Sequence, residues 1–446
     1  MRLCDLSATG LSYWVPSGDP APATGTRLPV RLLLDDIVAF SAASEIVRHQ
    51  PAEDRTKVAL RFLDDHVVPA RLKALHDRIA FERSAARGLD VYRAVPPPYR
   101  QAIGQARLFV EHWRKLLDER ERALRASDSS DIAHELAEVE ANVEDRMRTE
   151  WLAIRGAANN ASEDIVEGES LAASKHYTET LLTSALRDVP LIWHTYAKPL
   201  GYPGDYLAMS RMYDGQRRGD SVFARVMDQL GHEERLAATV PIRKRFLSQQ
   251  IERCVTEAQQ RHADPVRIVS IGCGPAREAF DYLNAAAPGP PLELVLIDQD
   301  EQALAHAWEH LQEAARPHGG RVRLSCRHIS FAQLFSLPEF VSEVNRADMI
   351  YSAGLFDYLG EDVGRALMNG CFGLLRDGGR LVVGNAAAGP DVRWMPEFVL
   401  DWTMIYRTEG ALRDLARDFA DRARIEIDSD DSDAWLFLVA RAESGA

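Results

Sequence analysis

Val266-Arg-Ile-Val-Ser-Ile-Gly-Cys-Gly-Pro-Ala276 is the stretch that decides the fold of this chain. Its first six residues, Val266 to Ile271, read as a buried strand. That strand runs directly into Gly272-Cys273-Gly274-Pro275 and then into a helical pattern. A glycine at a strand end lets the backbone turn tightly and leaves no Cβ in the way of a ligand. Taken alone, such a turn is equally an ordinary strand-to-helix connection. The next element narrows the choice. Leu292 to Ile297 is a second apolar strand, and it ends in Asp298-Gln299. Rossmann-like folds place there the acid that grips ribose hydroxyls.

The glycine pattern separates two cofactor classes. Dinucleotide loops use a third glycine beside the pyrophosphate. Here that position is Arg277, a bulky side chain. S-adenosylmethionine (SAM) has no phosphate and makes no such demand, so the pattern favours SAM over a nicotinamide dinucleotide.

Working outward, Val322 to Arg327 reads as a third strand and Asp348 to Ala353 as a fourth. Leu374 to Val383 reads as a helix end, a glycine turn and a fifth strand. Arg424 to Ile427 and Trp435 to Val439 flank the acidic turn Asp428–Asp433 and read as a closing antiparallel pair. Alternating strands and helices signify a doubly wound α/β sheet. These motifs, in this order, resemble the class I SAM-dependent methyltransferase family over residues 239–446. The resemblance implies a Rossmann-like sheet and SAM as cofactor. It implies SAM contacts from Gly272, Cys273, Gly274, Pro275, Asp298 and Gln299, and from Ser352, Ala353 and Gly354 at the end of the fourth strand. One departure stands at His328-Ile-Ser330-Phe331, where many relatives carry an acid near the adenine. Ser330 or the Phe331 backbone would serve there.

Residues 71–238 read as helical, a lid and linker domain. Ala106, Val110, Trp113, Leu117 and Leu124 share one helical face, and Ile132, Leu136, Val139, Val143, Met147 and Trp151 share another. The run 126–130 reads as the turn between them, with Ser130 or Asp131 as N-cap. Further on, Lys198-Pro-Leu-Gly-Tyr202-Pro-Gly-Asp205-Tyr206 is a turn in which Asp205 can cap a helix from Tyr206 to Tyr213. This motif, with Gly272 to Glu278 and Asp401-Trp-Thr-Met-Ile-Tyr-Arg-Thr408, resembles the methyltransferases of 3-hydroxypalmitic acid methyl ester biosynthesis, which make a quorum signal. The resemblance implies a lid carrying Tyr202 and Asp205 over the SAM site, a post-sheet helix at 401–408, and a fatty-acid-like carboxylate acceptor.

A carboxylic acid is ionised at neutral pH, so its methylation requires no general base. An alcohol acceptor would require one, and His194 is the first suspect. Binding the carboxylate calls for a cation or hydroxyl, and Arg407, Arg393, Lys198, Tyr202 and Tyr406 are candidates. Trp394, Phe398 and Trp402 recur at four-residue spacing. Packing against the sheet and an acyl-chain wall both remain open for that stripe.

Residues 1–70 are strand-like, with apolar runs at Leu28–Leu34 and Val58–Phe62 and a Pro/Gly-rich loop at Ser17–Gly25. Asp5-Leu-Ser7-Ala-Thr-Gly10 resembles the D/N-x-S-x-x-G motif of PilZ domains, which bind cyclic di-GMP. The family's upstream arginine pair, which would clamp the ligand phosphates, has no counterpart, because Arg2 is the sole arginine before Asp5. The expectation is an incomplete, PilZ-like segment lacking its first strand, used for structure or docking, that does not retain the nucleotide.

Composition sets outer bounds. A formal net charge of −14 argues against a sequence-independent nucleic-acid binder. No apolar run approaches a membrane span, and Met1 to Asp5 does not open a signal peptide. The five cysteines lie apart without a C-x-x-C, which indicates neither a disulfide framework nor a metal site and fits a cytoplasmic setting. The alternatives are methylation of another small molecule or a protein carboxylate, and a SAM- or nucleotide-sensing module without turnover.

Overall fold

The computed structural model describes residues 2–16, 19–34, 37–51, 55–127, 129–261, 264–286, 289–336, 338–429 and 432–443. Ser17 and Gly18 of the expected loop Ser17–Gly25, Asp128 of the turn at 126–130, and Asp430 and Asp431 of the acidic turn lie outside them. The chain divides into two compact units, Met1–Arg93 and Ala94–Ala446.

The first unit is an antiparallel sheet followed by a helix. Strands β1 (Arg2–Leu6), β2 (Gly10–Pro16), β3 (Arg27–Leu34), β4 (Ile37–Pro51) and β5 (Arg55–Phe62) lie in the order β1-β2-β5-β4-β3, and α1 (Pro69–Arg87) follows. Side chains alternate across a strand. Leu11, Tyr13 and Val15 of β2 accordingly meet Ile46 of β4 and Val58 and Leu60 of β5 in one core. Arg2–Leu6 occupies an edge and pairs with β2 alone among the described residues. The D-x-S-x-x-G residues are bonded within the sheet. Asp5 pairs with Lys57 at 2.6 Å, and the Ser7 hydroxyl donates to the Gly10 carbonyl at 3.1 Å. A Cβ on Gly10 would lie 2.3 Å from the Leu60 carbonyl oxygen, so only glycine fits.

The second unit opens with α2 (Pro97–Arg125) and α3 (Ile132–Ser162). The expected apolar face of α2 is buried, that of α3 is buried at Leu136, Met147 and Trp151 and half-buried at Ile132, Val139 and Val143, and Asp131 caps α3 by accepting from His134 N. Next come α4 (Gly168–Leu181), α5 (Pro190–Ala197), α6 (Tyr206–Asp214), α7 (Val222–His232) and α8 (Arg235–Arg261). The border expected at 238/239 falls inside α8, so the helical segment and the sheet share one unit.

The sheet contains β6 (Val266–Ile271), β7 (Leu292–Asp298), β8 (Val322–His328), β9 (Ala347–Ser352), β10 (Leu375–Ala386), β11 (Ala423–Ser429) and β12 (Trp435–Ala442). Their order is β11-β12-β10-β9-β6-β7-β8, with β12 antiparallel to both neighbours and the other pairs parallel. The sheet alternates with α9 (Arg277–Ala285), α10 (Glu301–Ala315), α11 (Pro338–Val344), α12 (Glu361–Gly373) and α13 (Glu409–Asp414). It is covered on both faces. Ile268 and Leu294 belong to one core cluster, Val269 and Val295 to the other. This is the Rossmann-like α/β architecture, closed by the antiparallel pair that the sequence placed around the acidic turn.

One expected element is absent. Residues 401–408 do not form a helix. A π-helical turn at Met395–Val399 ends, and Asp401 adopts φ +47°. The chain then runs extended, held to the sheet by Arg407 N donating to Ala386 O at 3.0 Å and Asn385 Nδ2 donating to Ile405 O at 2.9 Å. All five cysteines are free. Cys4 is exposed, Cys326 half-buried, and Cys254, Cys273 and Cys371 buried. Burial pushes the last three thiols above their usual range. No helix of the described residues is long and apolar enough to cross a membrane. No group of three or more metal-ligating side chains is assembled among the described residues.

Candidate active site at the carboxyl ends of the parallel strands

The end of β6 and the start of α9 are joined by a loop whose backbone is tied to β7. Gly272 N and Cys273 N donate to Ile297 O at 2.9 and 3.0 Å. Gly274 N donates to Asp298 Oδ2 at 2.8 Å, and Asp300 N donates to Asp298 Oδ1 at 3.0 Å. Gly274 adopts φ +49°, and no protein atom lies within 4 Å of where its Cβ would be. The left-handed turn is therefore not there to relieve packing; it opens the backbone toward a cavity. Burial pushes the Asp298 carboxyl up, against the backbone N–H groups that favour its charge. At the third-glycine position, Arg277 begins α9 and lays its guanidinium over the Phe280 ring at 4.7 Å.

The cavity has a volume of about 350 Å³, within the range of about 300–1,000 Å³ typical of small-molecule sites. Gly272, Cys273, Gly274, Pro275, Asp298 and Gln299 form one wall, continued by Phe331, Ala353 and Gly354. The open glycine backbone, the strand-end carboxylate and the absence of a phosphate-binding third glycine fit SAM. Of the expected cofactor residues, Ser330 and Ser352 are not on the wall. Ser330 reaches toward Gln333 at 3.4 Å, and Ser352 is buried in β9.

Most of the rest of the wall comes from the helical segment with its turn at 198–205 and from the chain after β10. Tyr202 lines it, and its hydroxyl donates to Asp300 Oδ2 at 2.8 Å, so burial and that carboxylate push its ionisation upward. Asp300 also caps α10 through its other oxygen. One hydrogen bond thus joins the Gly-Tyr-Pro-Gly turn to the residue two beyond Asp298. Trp402 lines the cavity as well, packing over Gly204 and donating from its indole to the Tyr358 hydroxyl at 2.8 Å.

Other expected catalytic and substrate residues lie elsewhere. Asp205 is 1% exposed; it caps α6 through Ala208 N and sits 2.9 and 3.0 Å from His194 Nε2. Neither Asp205 nor His194 reaches the cavity wall. Trp394 is fully buried, its indole donating to Tyr99 Oη at 3.2 Å beside Trp151, so packing accounts for it. Arg407 donates to the carbonyls of Phe356 and Leu359 and is a structural clamp. Tyr406 is half-buried off the wall, packed against the core under the sheet. Lys198 pairs with Asp401 and Arg393 with Glu397, each at 2.7 Å.

Sequence reasoning missed Arg243, Glu278 and Asp357, all buried and all on the wall. Glu278 accepts from the Tyr351 hydroxyl at 2.8 Å, and burial pushes its carboxyl up. Arg243 comes from α8 and Asp357 from the segment after β9, so no local spacing links them. Glu278 alone was within reach, six residues beyond Gly272 in the quoted loop.

One protein-family model covers this site. Residues 269–381 match the methyltransferase domain family model, a span that includes the glycine loop, Asp298 and the end of β9. Residues 1–75 match the PilZ domain model. Among curated protein sequences none matches the chain. Solved structures similar to it include a possible exported protein from Bordetella parapertussis (20% identity, 58% of this chain and 88% of that one, TM-score 0.42). Magnesium protoporphyrin IX methyltransferase from Synechocystis with bound SAM is another (12% identity, 58% and 97%, TM-score 0.35). A third is an N-methyltransferase from Bradyrhizobium japonicum (18% identity, 45% and 97%, TM-score 0.30). The glycine loop and Asp298 thus lie in a methyltransferase domain, and the protein is an enzyme that uses S-adenosylmethionine.

Proposed function

We propose that the enzyme methylates the carboxylate of a lipophilic acid, of the 3-hydroxy fatty acid class, to give its methyl ester for signalling. The observation that carries this reading is the apolar side of the cavity. Leu191, Ile192, Met209, Met212, Met395 and Leu400 line it beside the glycine loop. Such a wall suits an acyl chain, and methionines adapt to an irregular one. SAM supplies an electrophilic methyl group when bound. The protein's part is to align the acceptor oxygen and exclude water. Tyr202, anchored to Asp300, and the Gly272–Pro275 backbone would do the aligning. Tyr202 acts in this reading as a positioning group, and Asp205 and His194 support the turn that carries it.

A hydroxyl acceptor is the second reading, and Asp357 favours it. Burial pushes this carboxyl up to about 7, the range of a general base. One experiment separates the two. The protein is incubated with methyl-labelled SAM and 3-hydroxy acids of graded chain length. A labelled product that releases methanol in alkali supports the ester. A base-stable label on the same acids supports the ether and overturns the ester. For residues 1–75 we propose a structural or docking role without cyclic di-GMP binding, and we place the enzyme in the cytoplasm.

A further inference from the structure

Arg243 is 7% exposed, yet the protein offers its charge little compensation. It projects from α8 with its guanidinium carbon 3.9 Å from the Trp435 ring centroid. Its Nη2 donates to the Met209 sulfur at 3.7 Å, a weak acceptor. Its Nε is buried without a hydrogen-bond partner. Among the described residues no carboxylate comes within 4.0 Å to form an ion pair with it. A buried guanidinium in this condition is costly unless something completes it.

The cavity is where completion can come from, because Arg243 forms part of its wall. Two buried carboxyls on the same wall, Asp357 and Glu278, feel its charge without pairing with it, and burial pushes both upward. A Cβ on Gly354 would lie 3.6 Å from Arg243 Nη1 and 3.6 Å from Asp357 Oδ2, so both groups stand beside the same face of Gly354. Asp357 spends Oδ1 on Ala386 N at 2.8 Å, and its raised ionisation leaves it only partly charged at neutral pH. Stacking on Trp435 fixes the guanidinium plane, and a fixed fork of N–H donors matches a carboxylate.

We propose that Arg243 seats a ligand carboxylate in the cavity. The carboxylate belongs either to the acceptor acid, which rests on the function proposed above, or to the amino-acid tail of SAM, which does not. The probes are two pairs that differ at the carboxylate: SAM against decarboxylated SAM, and 3-hydroxydecanoate against decane-1,3-diol. Calorimetry on the full chain reads binding without turnover. Arg243→Gln should weaken one carboxylate ligand at least about tenfold while leaving its carboxylate-free counterpart (the dication of decarboxylated SAM, or the neutral diol) no more than about threefold weaker. Loss confined to SAM assigns the seat to the cofactor. Loss confined to 3-hydroxydecanoate assigns it to the acceptor. A folded variant that discriminates within both pairs as the wild type does overturns the seat. Should Arg243→Gln not fold, the wild type decides: equal affinity within both pairs overturns the proposal, and a carboxylate preference of tenfold or more within either supports it. Failure of 3-hydroxydecanoate to bind at all would remove the acid acceptor while leaving the SAM arm to stand or fall alone.

Discussion

Two glycine motifs in this molecule look alike in sequence and differ in what surrounds them. In Asp5-x-Ser7-x-x-Gly10, each motif residue is consumed by its own sheet: an ion pair to Lys57, a turn closed on Gly10 O, and a close approach of the Leu60 carbonyl. In Gly272-Cys-Gly274, the backbone turns toward a cavity with open space at the missing Cβ. The sheets differ in the same sense. Strand β3 alternates exposed and half-buried side chains, whereas every residue of β9 is buried. A motif glycine enforced by the protein's own atoms reports on folding. One that faces open space on a cavity wall, as Gly274 does, reports on a ligand.

The sharpest way to break that contrast is to put valine at both glycines. Gly274→Val places a β-branched residue at φ +49°, a strain of about 1–3 kcal/mol. It also sets two methyl groups into the cavity, so SAM affinity should fall about a hundredfold or more, by roughly 2.7 kcal/mol. Gly10→Val should instead lower the melting temperature of residues 1–93, with SAM affinity unchanged by calorimetry. Loss of SAM binding in the second variant, or normal binding in a folded first variant, would erase the distinction.

Next in size is Asp298→Ala. The carboxylate is held by Gly274 N and Asp300 N, and removing it should cost SAM binding about 1.5–3 kcal/mol. Unchanged affinity in a folded variant removes Asp298 from the site. Tyr202→Phe deletes a single hydrogen bond to Asp300, worth about 0.5–1.5 kcal/mol. Turnover should fall about two- to tenfold with little change in melting temperature. A drop in melting temperature matched by activity loss would make the hydroxyl structural. The smallest expected effect is none: titrating cyclic di-GMP onto the chain should show no micromolar isotherm, and a clear one would return the N-terminal motif to the ligand-facing class.

The sheet was legible because buried parallel strands are largely apolar runs, and β6 and β7 begin at the residues where those runs begin, while the edge strand β8 begins where apolar and polar residues start to alternate. The cavity wall formed by the glycine loop and Asp298 was legible for the same reason, since strand ends fix where the loops lie. The acceptor side was not. Trp394, Phe398 and Trp402 follow a helical period, but the π-helical turn and Asp401 at φ +47° break the phase. Trp394 therefore enters the core while Trp402 meets the cavity. His194 and Asp205 read as chemistry because polar residues crowd a turn; in the fold they satisfy one another. The opposite error hid Arg243. A charged residue in a long helix reads as solvated, and only the convergence of α8 with Trp435 and Gly354 shows it to be buried.

The distribution of cysteines gives the molecule a reactivity profile. The thiolate is the attacking species, and burial withholds it at Cys254, Cys273 and Cys371 while Cys4 stands exposed on the edge strand β1. A maleimide under native conditions should therefore tag the PilZ-matching segment first and spare the glycine loop. Each later thiol that becomes alkylatable marks the opening of a particular part of the second unit.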